Sequence, residues 1–293
     1  MTAAESTSDL SHGEAFALLG NETRVAILRE LWEAMGDGPL TFSELRERVG
    51  MRDSGQFNYH LHKLTDHFVR KVDDDGYTLR FAGAAVVGAI LSGAIDRASF
   101  DDPVPTDGAC PDCGGTLQLT YVDERATLGC ADCAYHGSGA SVPSGVFADR
   151  EREQAPAIFD GWLRAQVSVV AEGFCMACTG PTTARVQVGD IDHTGYEEEE
   201  PLVVYECGRC NERVLSSVPE ALLRDPAVVA FHHEHGVDLR TEPSWALPWL
   251  LGEVTVVSAD PLLVSVDVTI GDETLRLTVD GKVTVVEEER VSA

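Results

Sequence analysis

The eight cysteines of this 293-residue chain stand in four C-x-x-C pairs, with none left over. The pairs are Cys110 with Cys113, Cys130 with Cys133, Cys175 with Cys178, and Cys207 with Cys210. Two such pairs in succession supply four thiolates, the donor set of a tetrahedral zinc site. The first set reads C-x2-C-x16-C-x2-C and the second C-x2-C-x28-C-x2-C. Both sets are closed: four protein ligands leave no open coordination position, so the expected role is structural. Two zinc ions per chain are expected. Iron is the alternative, because four thiolates also suit a rubredoxin-type centre. Thiol redox chemistry would need a thioredoxin-like βαβ context, which the strand-rich surroundings do not offer.

The elements around the cysteines predict hairpins. Strands over residues 117–122 and 126–129 connect the first two pairs, and strands near 185–188 and 202–206 connect the second two. Hairpin plus two cysteine knuckles resembles a zinc ribbon. The acidic run at 197–200 reads as a solvated loop tip. Residues 149–171 read as a connecting helix with Ile158, Phe159, Trp162, Leu163 and Val167 on its apolar side. Residues 101–105, acidic and proline-bearing, read as a linker before the first module.

Ahead of the cysteines, residues 11–19 and 22–35 read as helices, with Asn21 as N-cap of the second. Thr41 and Glu44 form a capping box that opens a short helix to Val49. Asp53 and Gln56 suggest another, opening a helix to about His67. Phe57, Leu61 and Leu64 make the buried stripe of that helix. Strand-like runs at 68–72 and 77–81 flank a turn at 73–76, which predicts a hairpin. A helix-turn-helix followed by a hairpin is a winged helix. This order, with LLGNETRVAILREL at 18–31 and FNYHLHKL at 57–64, resembles the ArsR-like winged-helix regulators of the haloarchaeal type over about residues 11–97.

The resemblance implies duplex DNA as partner. The exposed side chains expected to read it are Ser54, Gln56, Asn58, Tyr59, His62 and Lys63, with Arg70, Lys71 and Arg80 on the wing reaching phosphate or the minor groove. His60 reads as a satisfied core histidine. In the resembled family a helix at this point pairs two subunits, and residues 82–95 (AGAAVVGAILSGAI) are apolar enough to be buried on most faces. A homodimer follows from the resemblance. The chain departs from the family's metal sensors: no cysteine precedes Cys110, and the 82–97 segment lacks their histidine-and-carboxylate ligand set.

Charge sharpens the reading. The net charge is −27, and only three of 22 basic residues are lysines: Lys63, Lys71 and Lys282. Such a surface is that of a protein adapted to molar salt. Residues 40–82 carry seven basic and seven acidic side chains, a neutral island on an acidic chain. Phosphate affinity falls with a slope of about −0.9 per contact against log salt, so roughly six contacts lose about five decades per decade of salt. Hydrogen bonds, shape fit and dimer avidity then carry more of the binding.

Farther on, residues 219–236 read as a helix kinked at Pro226 and ending in Phe231-His-His-Glu-His235. Those histidines do not form H-E-x-x-H, and their place near a helix C-terminus accounts for them. Strands follow near 253–258, 262–270, 273–280 and 282–288, with Asp280-Gly281 as a hairpin signal. Trp245 and Trp249 are expected to close a core rather than line a ligand pocket.

The expected architecture is α+β and multi-domain. It comprises a winged helix-turn-helix with dimerisation helix (1–98), a first zinc ribbon (99–148), a connecting helix (149–172), a second ribbon (173–218), and a C-terminal helix with antiparallel sheet (219–293). No apolar run spans a bilayer. Residues 1–10 lack a signal-peptide pattern, so a cytoplasmic place is expected. No nucleophile–base pair, phosphate loop or open metal site argues for an enzyme. The expected function is sequence-specific transcription regulation, with repression the expected direction. Its effector is a small molecule, another protein or ribbon oxidation. The alternative is a basal transcription accessory factor, similar to the archaeal initiation factor E family, that contacts the polymerase and other transcription machinery.

Overall fold

The computed structural model describes residues 10–72, 76–189 and 200–292. The expected turn at 73–76, the acidic run at 197–200 and the N-terminal segment lie wholly or mostly outside the described residues. The fold is α+β, with helices and four antiparallel sheets. The chain divides into two compact units: residues 1–97 with 143–145, and residues 98–142 with 146–293.

In the first unit, α1 (His12–Leu19) and α2 (Glu22–Glu33) precede a short strand β1 (Leu40–Thr41). Then come α3 (Phe42–Arg48), α4 (Ser54–Leu64), strands β2 (Val69–Val72) and β3 (Gly76–Leu79), and α5 (Phe81–Leu91). Capping explains the helix starts. Asn21 accepts from the Arg24 amide, and Thr41 and Glu44 make both halves of a capping box. A second box, Ser11 with Glu14, opens α1. The expected box at Asp53 is only half made: its carboxylate accepts the Gln56 amide at 2.9 Å, without a reciprocal bond. The core joins Ile27, Leu28 and Leu31 of α2 to Leu45 of α3 and to Phe57, Leu61 and Leu64 of α4. Phe42 meets Phe57 edge-on at 5.1 Å.

The strand pair carries an edge that sequence reading missed. β1 joins it, giving the order β1-β3-β2. Helix α5 packs on α2 and lies close to the hairpin. Gly83 allows this approach, since an added Cβ would strike the Phe68 carbonyl and the Leu79 side chain. The segment expected to be helical to residue 95 stops at Leu91, where Gly93 takes φ +68°. Its burial also differs from expectation. Only Gly83 and Val87 of α5 are buried, while Phe81 is 89% exposed and Ile95 just beyond is 79% exposed. His60 is not satisfied as expected, since its buried Nδ1 has no partner.

The second unit opens with a four-stranded meander, β4 (Val104–Ala109), β5 (Thr116–Val122), β6 (Arg125–Cys130) and β7 (His136–Ser141). The outer strands were not foreseen. β4 absorbs Val104 and Pro105, the end of the expected linker. Helix α6 (Ala155–Ala171) starts later than expected. Its first half packs Ala155 and Phe159 against Leu119 and Tyr121, where Phe100, Tyr121 and Phe147 form a triangle of rings 4.9–5.2 Å apart. Its second half delivers Val167 and Val170 to a larger core.

That core joins several layers. Strands β8 (Thr182–Gln187), β9 (Leu202–Cys207) and β10 (Arg213–Ser217) form a sheet of order β10-β9-β8. The expected kinked helix is instead two helices, α7 (Val218–Ala221) and α8 (Pro226–Glu234). Asp225 caps α8 through the Ala227 amide, and Pro226 cannot continue a preceding helix. Strands β11 (Thr255–Ala259), β12 (Leu262–Ile270), β13 (Glu273–Asp280) and β14 (Val285–Ser292) complete a sequential meander. Val264, Val266 and Val268 alternate inward on β12 and meet Leu275, Leu277 and Val279 of β13. The Asp280-Gly281 hairpin is wider than a two-residue turn. The Asp280 carboxylate accepts the amides of Lys282 and Thr284, and Asp280 pairs back to Thr284.

His232 lies fully buried in this core. Its Nδ1 donates to the Val228 carbonyl at 2.8 Å and its Nε2 accepts from the Trp249 indole at 3.0 Å. The pairing requires the neutral ring, and burial holds its pKa below the usual 6.5. The unfolded chain therefore binds the extra proton. Stability from this site is whole above 6.5 and declines as pH falls from there toward the depressed native value. Urea unfolding of His232→Gln is expected to lack this component of the decline between about pH 7 and pH 5. A wild-type slope retained in the variant counts against the assignment.

Candidate metal centres and nucleic-acid interface

The cysteine pairs converge as two groups of four, with all sulfurs of each group within 4.8 Å of one another. In the first group Cys110 and Cys133 lie 3.7 Å apart, and Cys113 and Cys130 3.5 Å. In the second, Cys175 and Cys210 lie 3.7 Å apart, and Cys178 and Cys207 3.5 Å. A tetrahedron with metal–sulfur bonds of about 2.3 Å has sulfur–sulfur edges of about 3.8 Å. The residues therefore fit a four-thiolate metal ion in each group.

Backbone turns build these sites. The Cys110 carbonyl accepts the Gly114 amide, the Cys175 carbonyl that of Thr179, and the Cys207 carbonyl that of Asn211. Gly114, Thr179 and Asn211 all take positive φ, at 74°, 56° and 59°. Glycine pays no steric penalty there, and asparagine pays little. The knuckle turns are those expected from the C-x-x-C pairs; the positive φ at Thr179 and Asn211 is not announced by a glycine. Amides then face the sulfurs: Asp132 reaches Cys130 at 3.3 Å, and Arg209 reaches Cys207 at 3.4 Å. The Asp132 amide draws the Cys130 thiol down to about 7, and the amides of Cys210 and Arg209 draw Cys207 to about 6. Against the amides of Tyr135 and Glu212, which lower them, their sulfur neighbours Cys133 and Cys210 are pushed up to about 12, as the crowding of four thiolates in one group requires. Thiolate is the form that binds metal.

The two sites are embedded differently. The first has one buried cysteine, Cys110, and two exposed, Cys113 and Cys133; the second has two buried, Cys175 and Cys207, and one exposed, Cys210. Cys207 ends β9, whose residues Leu202, Val203, Val204 and Tyr205 are all buried.

On the first unit, α4 turns Ser54, Gln56, Asn58, Tyr59, His62 and Lys63 outward, opposite its buried stripe. The Lys63 ammonium lies 5.8 Å from the Tyr59 ring centre. Arg70 and Lys71 are exposed on β2. Arg80 is exposed too, but its guanidinium donates to the Asp66 carbonyl. It therefore fastens the start of α5 to the turn after α4, a tie that sequence reading did not anticipate. Among the described residues no helix is long and apolar enough to cross a membrane.

The chain belongs to the family of DUF7351, a domain of unknown function, whose family model matches residues 107–285. A second domain of unknown function, DUF7347, matches residues 12–90. One match thus falls on each compact unit, and the longer one contains both cysteine groups. No curated protein and no solved structure matches the chain.

Proposed function

We propose that this DUF7351 chain is an ArsR-like winged helix-turn-helix transcription regulator that binds double-stranded DNA as a homodimer. Its two four-cysteine groups are zinc ribbons that hold the second unit together. The observation that carries the DNA reading is the outward face of α4. It presents Tyr59, His62 and Lys63 opposite the core stripe, flanked on its two sides by the exposed Gln56 and Asn58, which can pair with adenine edges. Helices α3 and α4 are the helix-turn-helix, and β2 with β3 is the wing. A neutral reading surface suits binding in strong salt better than a basic patch would.

The dimer reading rests on exposed apolar side chains of α5 and the segment after it. Phe81 and Leu91 of α5 are 89% and 50% exposed in the single chain, and Ile95 beyond its end is 79% exposed. Gly88 leaves open space where a second helix can approach. Leu91→Arg is expected to convert dimer to monomer in sedimentation equilibrium without loss of helicity. An unchanged molar mass would place the dimer contact elsewhere.

Chromatin pull-down of the tagged chain in its host tests the function. Discrete occupancy at a few promoters supports a regulator. Occupancy that follows the polymerase at most promoters overturns it in favour of a basal accessory factor.

A further inference from the structure

The second unit contains a cavity of about 1080 Å³, bounded by α6, α7, β10 and the segment that follows α8. Ligand pockets commonly run to roughly 300–1,000 Å³, so this one has room for a drug-sized molecule. Leu163, Val167, Leu215 and Leu239 give it apolar walls.

Its ionisable groups are four carboxylates, three arginines and one histidine, His233. Each arginine is engaged by a lining carboxylate. Arg164 meets Asp160 at 3.2 Å, Arg224 meets Glu172 at 3.5 Å, and Arg240 meets Asp238 at 2.7 Å. Glu220 is the remaining lining carboxylate; although Arg164 makes its ion pair with Asp160, its charge also acts on Glu220. Its Oε2 accepts the Ser217 amide at 3.1 Å in the capping box of α7, which fixes the side chain. A carboxylate has about four acceptor sites, so acceptor capacity remains. Burial pushes the Glu220 carboxyl above its usual 4.5, with the Asp160 charge adding to the rise and the Ser217 hydrogen bonds and the Arg164 charge opposing it.

The far wall is fixed as well. The Arg164 guanidinium donates to the Leu239 carbonyl at 2.8 Å and to the Ser244 hydroxyl at 3.2 Å, which ties α6 to the loop opposite. The cavity is therefore held open by bonded structure.

We propose that this cavity binds an organic cation, an amine or guanidine carried on an apolar frame, with its charge against Glu220. An anionic ligand would add a like charge beside Glu220, and a neutral one would leave its ionised form without an ion-pair partner, whereas a cation favours that ionised form. A metal ion has too few donors here; among the described residues the two cysteine groups are the clusters able to hold one. A charge pair inside a cavity is screened by salt much less than one on the surface. The site stands on the second unit alone and is independent of the DNA reading.

Calorimetric titration of the full chain with tryptamine and agmatine tests this, with tryptophol and indole-3-propionate as neutral and acidic counterparts. Two variants accompany it. Glu220→Gln keeps an acceptor for the capping box and removes the charge. Gly161→Leu fills the cavity from α6, where no atom stands within 4 Å of an added Cβ; it also gains helix propensity. The expected result is amine binding to the wild type, weakened at least about tenfold by Glu220→Gln and abolished by Gly161→Leu, with metal content and unfolding temperature retained. Three outcomes overturn the proposal. One is tryptophol or indole-3-propionate binding as tightly as tryptamine. Another is amine binding that survives in both folded variants. The third is no amine binding at millimolar concentration. Should a variant unfold, the comparison of the three indoles on the wild type decides.

Discussion

Cys207→Ser is expected to remove one of two metal ions per chain and to destabilise the second unit by on the order of 5 kcal/mol. Structural zinc sites contribute about 10–16 kcal/mol of apparent binding energy in small finger peptides, where the metal does nearly all the folding. Here the second group is backed by a large apolar core, so part of that energy is held in packing. The loss remains severe because of where Cys207 sits. It ends the central strand β9, and its neighbours Val203 and Tyr205 are core residues. Releasing the knuckle frees the end of a strand that two others pair with. Cys113→Ser provides the contrast. It should lose one metal as well, but Cys113 is exposed and its sheet is clamped by Tyr121, Phe159 and the neighbouring rings. A smaller fall in stability is expected. Elemental analysis gives the stoichiometry and calorimetry the stability. Two metals per chain and wild-type unfolding in Cys207→Ser would remove the structural role from this site.

The cysteine groups were legible because their signal is local. A C-x-x-C pair makes its own turn, and four thiolates in a short span leave few alternatives. The helix starts of the first unit were legible for the same reason, since a side chain three residues from its partner caps the helix directly, as Thr41 and Glu44 do. The misses share the opposite property. Strand β1 exists because the distant β3 pairs with it. Strands β4, β7 and β10 pair with a strand adjacent in the chain but are held by that pairing and not by their own pattern, and β7 (HGSGAS) has no apolar alternation to announce it. The break between α7 and α8 was read as a kink. Yet Asp225 and Pro226 together are a complete helix start, and the capping box at Ser217 was in the sequence as well. Those two signals were legible and went unread. The cavity was not legible at all. Asp160, Arg164, Glu220 and Asp238 lie up to 78 residues apart and are brought together by α6 packing on both flanking layers. No local pattern marks Glu220 as the carboxylate of this cavity that makes no ion pair among the described residues.

Alanine at Gln56 and at Asn58 is expected to cost about 1–3 kcal/mol each in binding to a preferred DNA sequence, because each amide can make a paired contact to one base edge. Both side chains are exposed on either side of the buried Phe57, so their removal leaves the core stripe of α4 intact. Circular dichroism and thermal unfolding should therefore match the wild type. Arg70→Ala provides the counterpart. Arg70 is exposed on β2 opposite Thr78, where a wing would meet the backbone of DNA. Its loss should weaken binding to every sequence alike and reduce the slope of log affinity against log salt by about one. The amide variants should leave that slope unchanged while narrowing the gap between preferred and random sequence. Fluorescence anisotropy across a potassium chloride series separates the two behaviours. A salt-slope change in Gln56→Ala or Asn58→Ala, with the sequence preference unaltered, would put those amides on phosphate and leave α4 without a reading face.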